Sequence, residues 1–140
     1  SLEIARIYQY LLQQKNRDFV LVHGLDGFDE ISLTSDSKII SKAGEKVVSA
    51  ENLGFKPVLE KNIKAGKTVT ETAAIFRNIL SGNGSEDQNV VVLANAAVAL
   101  ELTGKFSDYK EALMAAKESL FSGKAFECLK KLTETSAAIV

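Results

Sequence analysis

Phe19-Val20-Leu21-Val22-His23-Gly24-Leu25-Asp26-Gly27-Phe28-Asp29-Glu30-Ile31-Ser32-Leu33-Thr34 is the stretch on which the fold turns. Phe19–Val22 is a short apolar run rich in β-branched residues, the pattern of a buried strand. Gly24 and Gly27 then permit a tight, open turn that side-chain-bearing residues resist. Out of it come two adjacent carboxylates, Asp29 and Glu30, and a second strand-like run over Glu30–Thr34 follows at once. A strand ending in a glycine-rich loop that carries acids is a common way to hold a cation and a phosphate at a sheet edge.

Upstream, Ile4, Ile7, Tyr8, Leu11 and Leu12 recur at helical spacing, so a helix is expected over Leu2 to about Gln14. Downstream, Lys38–Ser41 and Lys46–Ser49 read as short strands, parted by Lys42-Ala43-Gly44-Glu45. Their partial alternation suits an exposed hairpin better than a central strand. Ala50 to Lys67 holds the only proline, Pro57, and is expected to be irregular, with one or two helical turns.

The C-terminal half reads as helices. Thr68 and Glu71 are placed to cap one that runs to about Ser81, with Val69, Ala73, Phe76 and Leu80 on its packed face. Ser85 and Gln88 repeat that signal before a helix over Glu86–Thr103, apolar nearly all round and therefore expected in the core. Ser107 is the expected cap of a helix from Asp108 to about Phe121. A last helix carries Ala125, Phe126, Leu129 and Leu132. The fold class is therefore α/β, with short strands and several packing helices.

The chain has 140 residues, enough for one domain with a sizeable core, and its net charge of −1 gives no basic footprint for nucleic acid. A single cysteine, Cys128, excludes an internal disulfide and fits a reducing, cytoplasmic setting. Its place beside Leu129 puts it on the expected inner side of the last helix. The longest apolar run, Val90 to Leu100, is interrupted by Asn95 and too short to span a bilayer. The opening at Ser1, directly into a helix, suggests a fragment.

Four features bear on chemistry. Asp29 and Glu30 are oxygen donors of the kind hard divalent cations prefer, and Mg²⁺ commonly takes one or two carboxylates plus phosphates and water. Solvation alone also accounts for two acids at a turn. Asp26, before Gly27, reads first as a turn residue. His23 is the sole histidine, which excludes a zinc site with several histidine ligands; it reads first as a strand-end hydrogen-bonding residue, and otherwise as a general base or a phosphate contact. Asn95, in an apolar helix, must find partners, either bracing the loop from behind or linking helix to strand.

Val22-His23-Gly24-x-Asp26-Gly27-x-Asp29-Glu30-Ile31-Ser32 closely resembles the signature of the anthranilate phosphoribosyltransferases. Leu93-Ala94-Asn95-Ala96-Ala97-Val98-Ala99-Leu100 is similar to that family's Asn-Ala-Ala helix. Ala73-Ala74-Ile75 through Leu80-Ser81-Gly82, and Ser122-Gly123-Lys124-Ala125, match in order and spacing. The resemblance implies an enzyme of tryptophan biosynthesis that joins anthranilate to the ribose of phosphoribosyl pyrophosphate and releases pyrophosphate. It implies that Asp29 and Glu30 bind Mg²⁺ accompanying that pyrophosphate, that His23, Gly24 and Gly27 shape the loop, and that the parent enzyme is a homodimer.

The resemblance also has gaps. The family's glycine-rich pyrophosphate loop, its Lys-His-Gly-Asn-Arg stretch, its anthranilate-gripping arginine and its small helical domain have no counterpart here. Residues 1–140 therefore correspond to a C-terminal portion of the large α/β domain, and the segment alone is expected to be inactive. Ala65-Gly66-Lys67 stands where a Gly-Gly-Asp is frequent, and Glu86-Asp87-Gln88 where a basic residue is usual. A non-catalytic, nucleic-acid-binding relative of the same superfamily is the rival reading. The near-neutral charge and the intact Asp29-Glu30 pair oppose it.

Overall fold

A computed structural model describes residues 1–15 and 17–137. It contains helix α1 (Leu2–Gln14), strands β1 (Val20–Gly24), β2 (Ser37–Ser41) and β3 (Gly44–Val48), and helices α2 (Val69–Leu80), α3 (Glu86–Leu102), α4 (Tyr109–Phe121) and α5 (Lys124–Ala137). Two 3-10 turns, Glu51–Leu53 and Glu60–Asn62, punctuate the otherwise irregular segment between β3 and α2, as its composition implied.

The strands form one antiparallel sheet in the order β1-β2-β3. Val22 lies opposite Ile39, and Ile39 opposite Lys46. Side chains alternate between faces along each strand, so this register puts Val20, Val22, Ile39 and Val48 on one face. That face packs on Val91, Ala94 and Val98 of α3. Leu21, His23, Lys38, Ile40 and Glu45 take the other face. There α1 approaches, packing against β1 and bringing Gln9 and the charge of Arg6 near the Glu45 carboxylate.

The α3 core position follows from its composition. Val91, Leu93, Ala94, Ala97 and Val98 are buried, and the small alanines let neighbouring elements come close. Leu93 also packs with Ala116 and Leu120 of α4, so α3 separates two apolar clusters.

The caps are where they are for stated chemical reasons. Thr68 accepts the Glu71 amide at 3.2 Å, and Ser85 and Gln88 form a complete reciprocal box. The α4 cap is Asp108, not Ser107: its carboxylate accepts the Glu111 amide at 2.9 Å, while Ser107 only donates its own amide to the Glu111 carboxylate. A carboxylate also suits the positive end of a helix dipole better than a hydroxyl does.

Four further expectations are corrected. Glu30–Thr34 is not a strand: Ile31, Ser32 and Leu33 are buried, but Leu33 sits at φ 59, which breaks the pleat. The expected exposed hairpin contributes the central strand, β2, with Ile39 and Ile40 buried. The α2 face is rotated from the expected one, leaving Val69 and Phe76 exposed while Ala73, Ile79 and Leu80 are half-buried. Cys128 is exposed, so it is not a core residue.

Candidate metal site

The site is a loop hung between β1 and a buried irregular segment. Gly24 donates its amide to the Phe28 carbonyl at 2.7 Å, and Gly27 donates to Gly24 at 3.0 Å. Leu25 donates to Asp36 at 2.8 Å, which ties the turn to the start of β2. Each glycine is required for a different reason. A Cβ on Gly24 would lie 2.7 Å from the Asp26 Oδ1, whereas Gly27 has open space but φ +102.

Asp26 closes the loop through side chains, not through the local backbone bond its position suggested. Its Oδ2 accepts from the hydroxyl of Thr34, and Ser32 Oγ lies 3.4 Å from the same oxygen. Those hydroxyls bond each other at 2.7 Å, and the Thr34 amide donates to Ser32 Oγ at 3.2 Å. Val58 donates to the Leu33 carbonyl at 2.8 Å, which holds the left-handed Leu33 in place.

Asn95 braces this segment from behind, as one of its two sequence readings held. Its Oδ1 accepts the Ile31 amide at 3.0 Å, and its Nδ2 donates to the Ile31 carbonyl at 2.8 Å and to Val91 at 2.9 Å. The buried helix thereby fixes the residue that directly follows Glu30.

Asp29 and Glu30 are both exposed. No ion pair engages either one among the described residues. Neither lines the cavity of about 250 Å³ beside Val20 and Val98, nor that of about 400 Å³ lined by Thr34, Asp36 and Pro57. His23 is half-buried on β1 opposite Lys38.

The described residues contain no group of three or more His, Cys, Asp and Glu able to cage a metal ion. A Mg²⁺ ion that draws its remaining ligands from water and phosphate oxygens needs no such cage. Two neighbouring carboxylates without an ion-pair partner among the described residues fit that mode of binding. They do not fit a closed structural site of zinc type.

The model of the glycosyl transferase family, a/b domain, matches residues 1–126, and the matched region contains the whole loop and its Asn95 brace. The chain belongs to that family. Among its relatives, the anthranilate phosphoribosyltransferase of Flavobacterium johnsoniae is 48% identical over 97% of this chain and 41% of its own length. That of Christiangramia forsetii is 44% identical over the same shares. The crystal structure of the Thermus thermophilus anthranilate phosphoribosyltransferase superposes with a TM-score of 0.79 at 27% identity, covering 88% of this chain and 37% of that one. A Saccharomyces cerevisiae anthranilate phosphoribosyltransferase in complex with PRPP and Mg matches in fold, with a TM-score of 0.74 at 23% identity over 86% of this chain and 34% of its own.

The chain thus spans about two-fifths of the length of the relatives it matches. The family and the α/β fold expected from the loop motif are both borne out. No helix among the described residues is long and apolar enough to cross a membrane. Sequence reasoning missed the Asp26–Ser32–Thr34 cluster. The hydroxyls at alternate positions were visible, but a strand reading would have sent both to one face without saying which acid they meet.

Proposed function

We propose that this glycosyl transferase family chain is the metal-bearing part of an anthranilate phosphoribosyltransferase. The whole enzyme transfers phosphoribose from phosphoribosyl pyrophosphate to anthranilate and releases pyrophosphate. The observation that carries the reading is the pair Asp29 and Glu30: exposed, without an ion-pair partner among the described residues, and followed at once by a residue clamped to the buried helix α3. Its support lies in the relatives, which are named for that activity, and in solved structures of the same fold obtained with PRPP and Mg and with 4-fluoroanthranilate.

Bound Mg²⁺ would supply positive charge to stabilise the leaving pyrophosphate. The chain's own residues do the positioning. Asp29 and Glu30 supply the anionic oxygens. Gly24 and Gly27 let the loop turn without a side chain in the way. Asn95 keeps the backbone after Glu30 from drifting, which limits the reorganisation needed when charge develops nearby.

The segment alone is proposed not to turn over, because it spans about two-fifths of its relatives. Calorimetric titration of the chain with Mg²⁺ and pyrophosphate tests the metal role, with Asp29→Asn and Glu30→Gln as the variants. Weak binding that requires Mg²⁺ and is lost in both variants supports the reading. Binding unchanged in both overturns the metal assignment, and rapid anthranilate consumption by the chain alone overturns the fragment reading.

A further inference from the structure

Only two glycines in the sequence follow a residue whose Cβ carries a carbonyl carbon, in Asp26-Gly27 and in Asn83-Gly84. In such a pair the glycine nitrogen can reach back to that carbon and close an imide ring. A side chain on the second residue hinders the approach, and glycine has none. The fold treats the two pairs in opposite ways. At Asp26 the path is blocked, because Gly27 commits its amide to the Gly24 carbonyl at 3.0 Å and the Asp26 carboxylate accepts from Thr34. At Asn83 it is open. The Asn83 side chain is exposed, and among the described residues neither its carboxamide nor the Gly84 amide has a hydrogen-bond partner.

The main chain on either side is held. Gly82 at φ +76 ends α2 and donates to the Ile79 carbonyl at 2.9 Å, and Asn83 donates to the Asn78 carbonyl at 3.0 Å. Asn78 Nδ2 donates back to the Asn83 carbonyl at 2.7 Å. That bond draws electron density from the Asn83–Gly84 peptide and eases loss of the Gly84 proton. Gly84 itself sits in a tight seat. A Cβ there would lie 2.5 Å from Asn89 Oδ1 and 2.9 Å from Ile79 Cγ1. Its carbonyl accepts from Asn89 Nδ2 at 3.0 Å, and Asn89 is buried with its Oδ1 unpartnered.

We propose that Asn83 is a site of self-modification, where the chain converts its own asparagine to aspartate and isoaspartate, and that the isoaspartyl form unseats Gly84 from Asn89. The Gly84 nitrogen bonds to Asn83 Cγ, the Cγ–Nδ2 bond breaks, and ammonia leaves with the proton that Gly84 gave up. Water then opens the imide. Opening at Cγ gives aspartate; opening at the original main-chain carbonyl gives isoaspartate. The only co-reactant is water, and either product adds one negative charge to a chain of net charge −1. In the isoaspartyl form the carbonyl that Asn78 holds becomes a free carboxylate, and the main chain reaches Gly84 through an added methylene. The seat around Gly84 has no room for that displacement, so the Asn89 bond is lost and a buried carboxamide is left without a partner. The inference is independent of the metal assignment.

The test is ageing of the folded 140-residue chain in mildly alkaline buffer. Peptide mass mapping follows each asparagine, enzymatic methyl labelling detects isoaspartate, and thermal unfolding is read on the separated forms. Asn83→Gln is the unreactive control, since a longer side chain closes the imide far more slowly. Asn83→Asp carries the product charge on an unaltered main chain. The side chain is exposed, so both variants should fold as the parent does.

The expected result is conversion at Asn83 at least ~10-fold faster than at Asn52 or Asn62, and faster still as pH rises. The isoaspartyl form should melt below the unaged chain, while unaged Asn83→Asp and aged Asn83→Gln keep the parent's midpoint. Asp26 should stay unconverted in the folded chain and isomerise only in urea. Conversion at Asn83 no faster than at Asn52 or Asn62 overturns the proposal. So does an isoaspartyl form that melts with the unaged chain, or isomerisation of Asp26 in the folded chain as fast as the change at Asn83.

Discussion

Asn95 holds Ile31 at two points of its main chain, accepting the amide at 3.0 Å and donating to the carbonyl at 2.8 Å across 64 residues of sequence. A carboxamide facing a peptide unit in this way imitates one rung of a sheet, and it satisfies groups of a residue that is 1% exposed. Without it, a buried amide and carbonyl would be left unpaired. Asn95→Ala is therefore expected to cost about 2–4 kcal/mol, since each unsatisfied buried group costs roughly 1–3 kcal/mol. Urea unfolding of the purified variant measures this. Asn95→Asp keeps the acceptor and loses the donor, so it should also destabilise, by setting a carboxylate against the Ile31 carbonyl.

The two loop glycines fail in different ways when replaced. Gly24→Ala places a methyl 2.7 Å from Asp26 Oδ1 and 3.1 Å from the Phe28 carbonyl, so the loop must open. Gly27→Ala meets nothing within 4 Å but must hold φ +102. Backbone strain of that kind costs about 1–3 kcal/mol. Both variants should lower the unfolding midpoint. Only Gly24→Ala should also release the Leu25 and Gly27 amides to fast hydrogen exchange, because their partners move with the displaced loop.

Acid weakens this fold in a predictable window. Lys38 holds the Glu45 carboxyl below its usual value of 4.5 through a 2.6 Å contact, and Lys124 does the same for Glu118 at 2.5 Å. Glu51 is lowered by backbone and Ser49 hydrogen bonds. A carboxyl whose folded value is depressed contributes stability above the ordinary value and loses it as pH falls through the depressed one. Stability should therefore be flat near neutrality in these groups and decline below about pH 4.5. Lys38→Met with Lys124→Met should flatten that decline. So should raising the salt to about 1 M, because both lysine–glutamate pairs lie on the surface.

Tyr109 gives the alkaline counterpart. Burial, aided by the negative charge of Glu101, raises its hydroxyl to about 12. The neutral phenol is the folded form, so its contribution is present below the ordinary tyrosine value near ~10 and is lost as pH rises through about 12. Ultraviolet titration of phenolate should show one late-titrating tyrosine that disappears in Tyr109→Phe. Its hydroxyl donates to the Leu53 carbonyl at only 3.4 Å, so that substitution should cost less than about 1 kcal/mol.

Helix existence was legible because spacing and capping act locally: Thr68 with Glu71 and Ser85 with Gln88 pair within one turn. Which helical face is covered is not a local property. Period alone marked Val69, Phe76 and Cys128 as inward-facing, yet each is exposed, since a stripe can be apolar with no element of this chain set against it. Glu30–Thr34 misled for a related reason. Ile31 and Leu33 alternate with hydroxyl residues as a strand would, but their backbone groups are claimed by Asn95 and Val58 from far along the chain. The acid pair was singled out by the family motif around it, because two acids at a turn are otherwise accounted for by solvation. Its brace was found because an asparagine in an alanine-rich helix must have a partner.

Three acids in one loop can be separated by what each is bonded to. Asp26 accepts from Thr34, which is bonded in turn to Ser32, and so belongs to the framework. Asp26→Ala is expected to cost about 1–2 kcal/mol, the range for losing hydroxyl bonds to a partly solvated carboxylate. Asp29 and Glu30 are exposed and carry no ion pair among the described residues, so Asp29→Asn and Glu30→Gln should change stability by less than about 0.5 kcal/mol. Paired urea unfolding and Mg²⁺–pyrophosphate titration separate the two classes. If either acid variant unfolds as easily as Asp26→Ala, that acid is structural and its loss of binding says nothing about a metal. If both keep the parent's stability and lose binding, the loss is assigned to the carboxylates themselves.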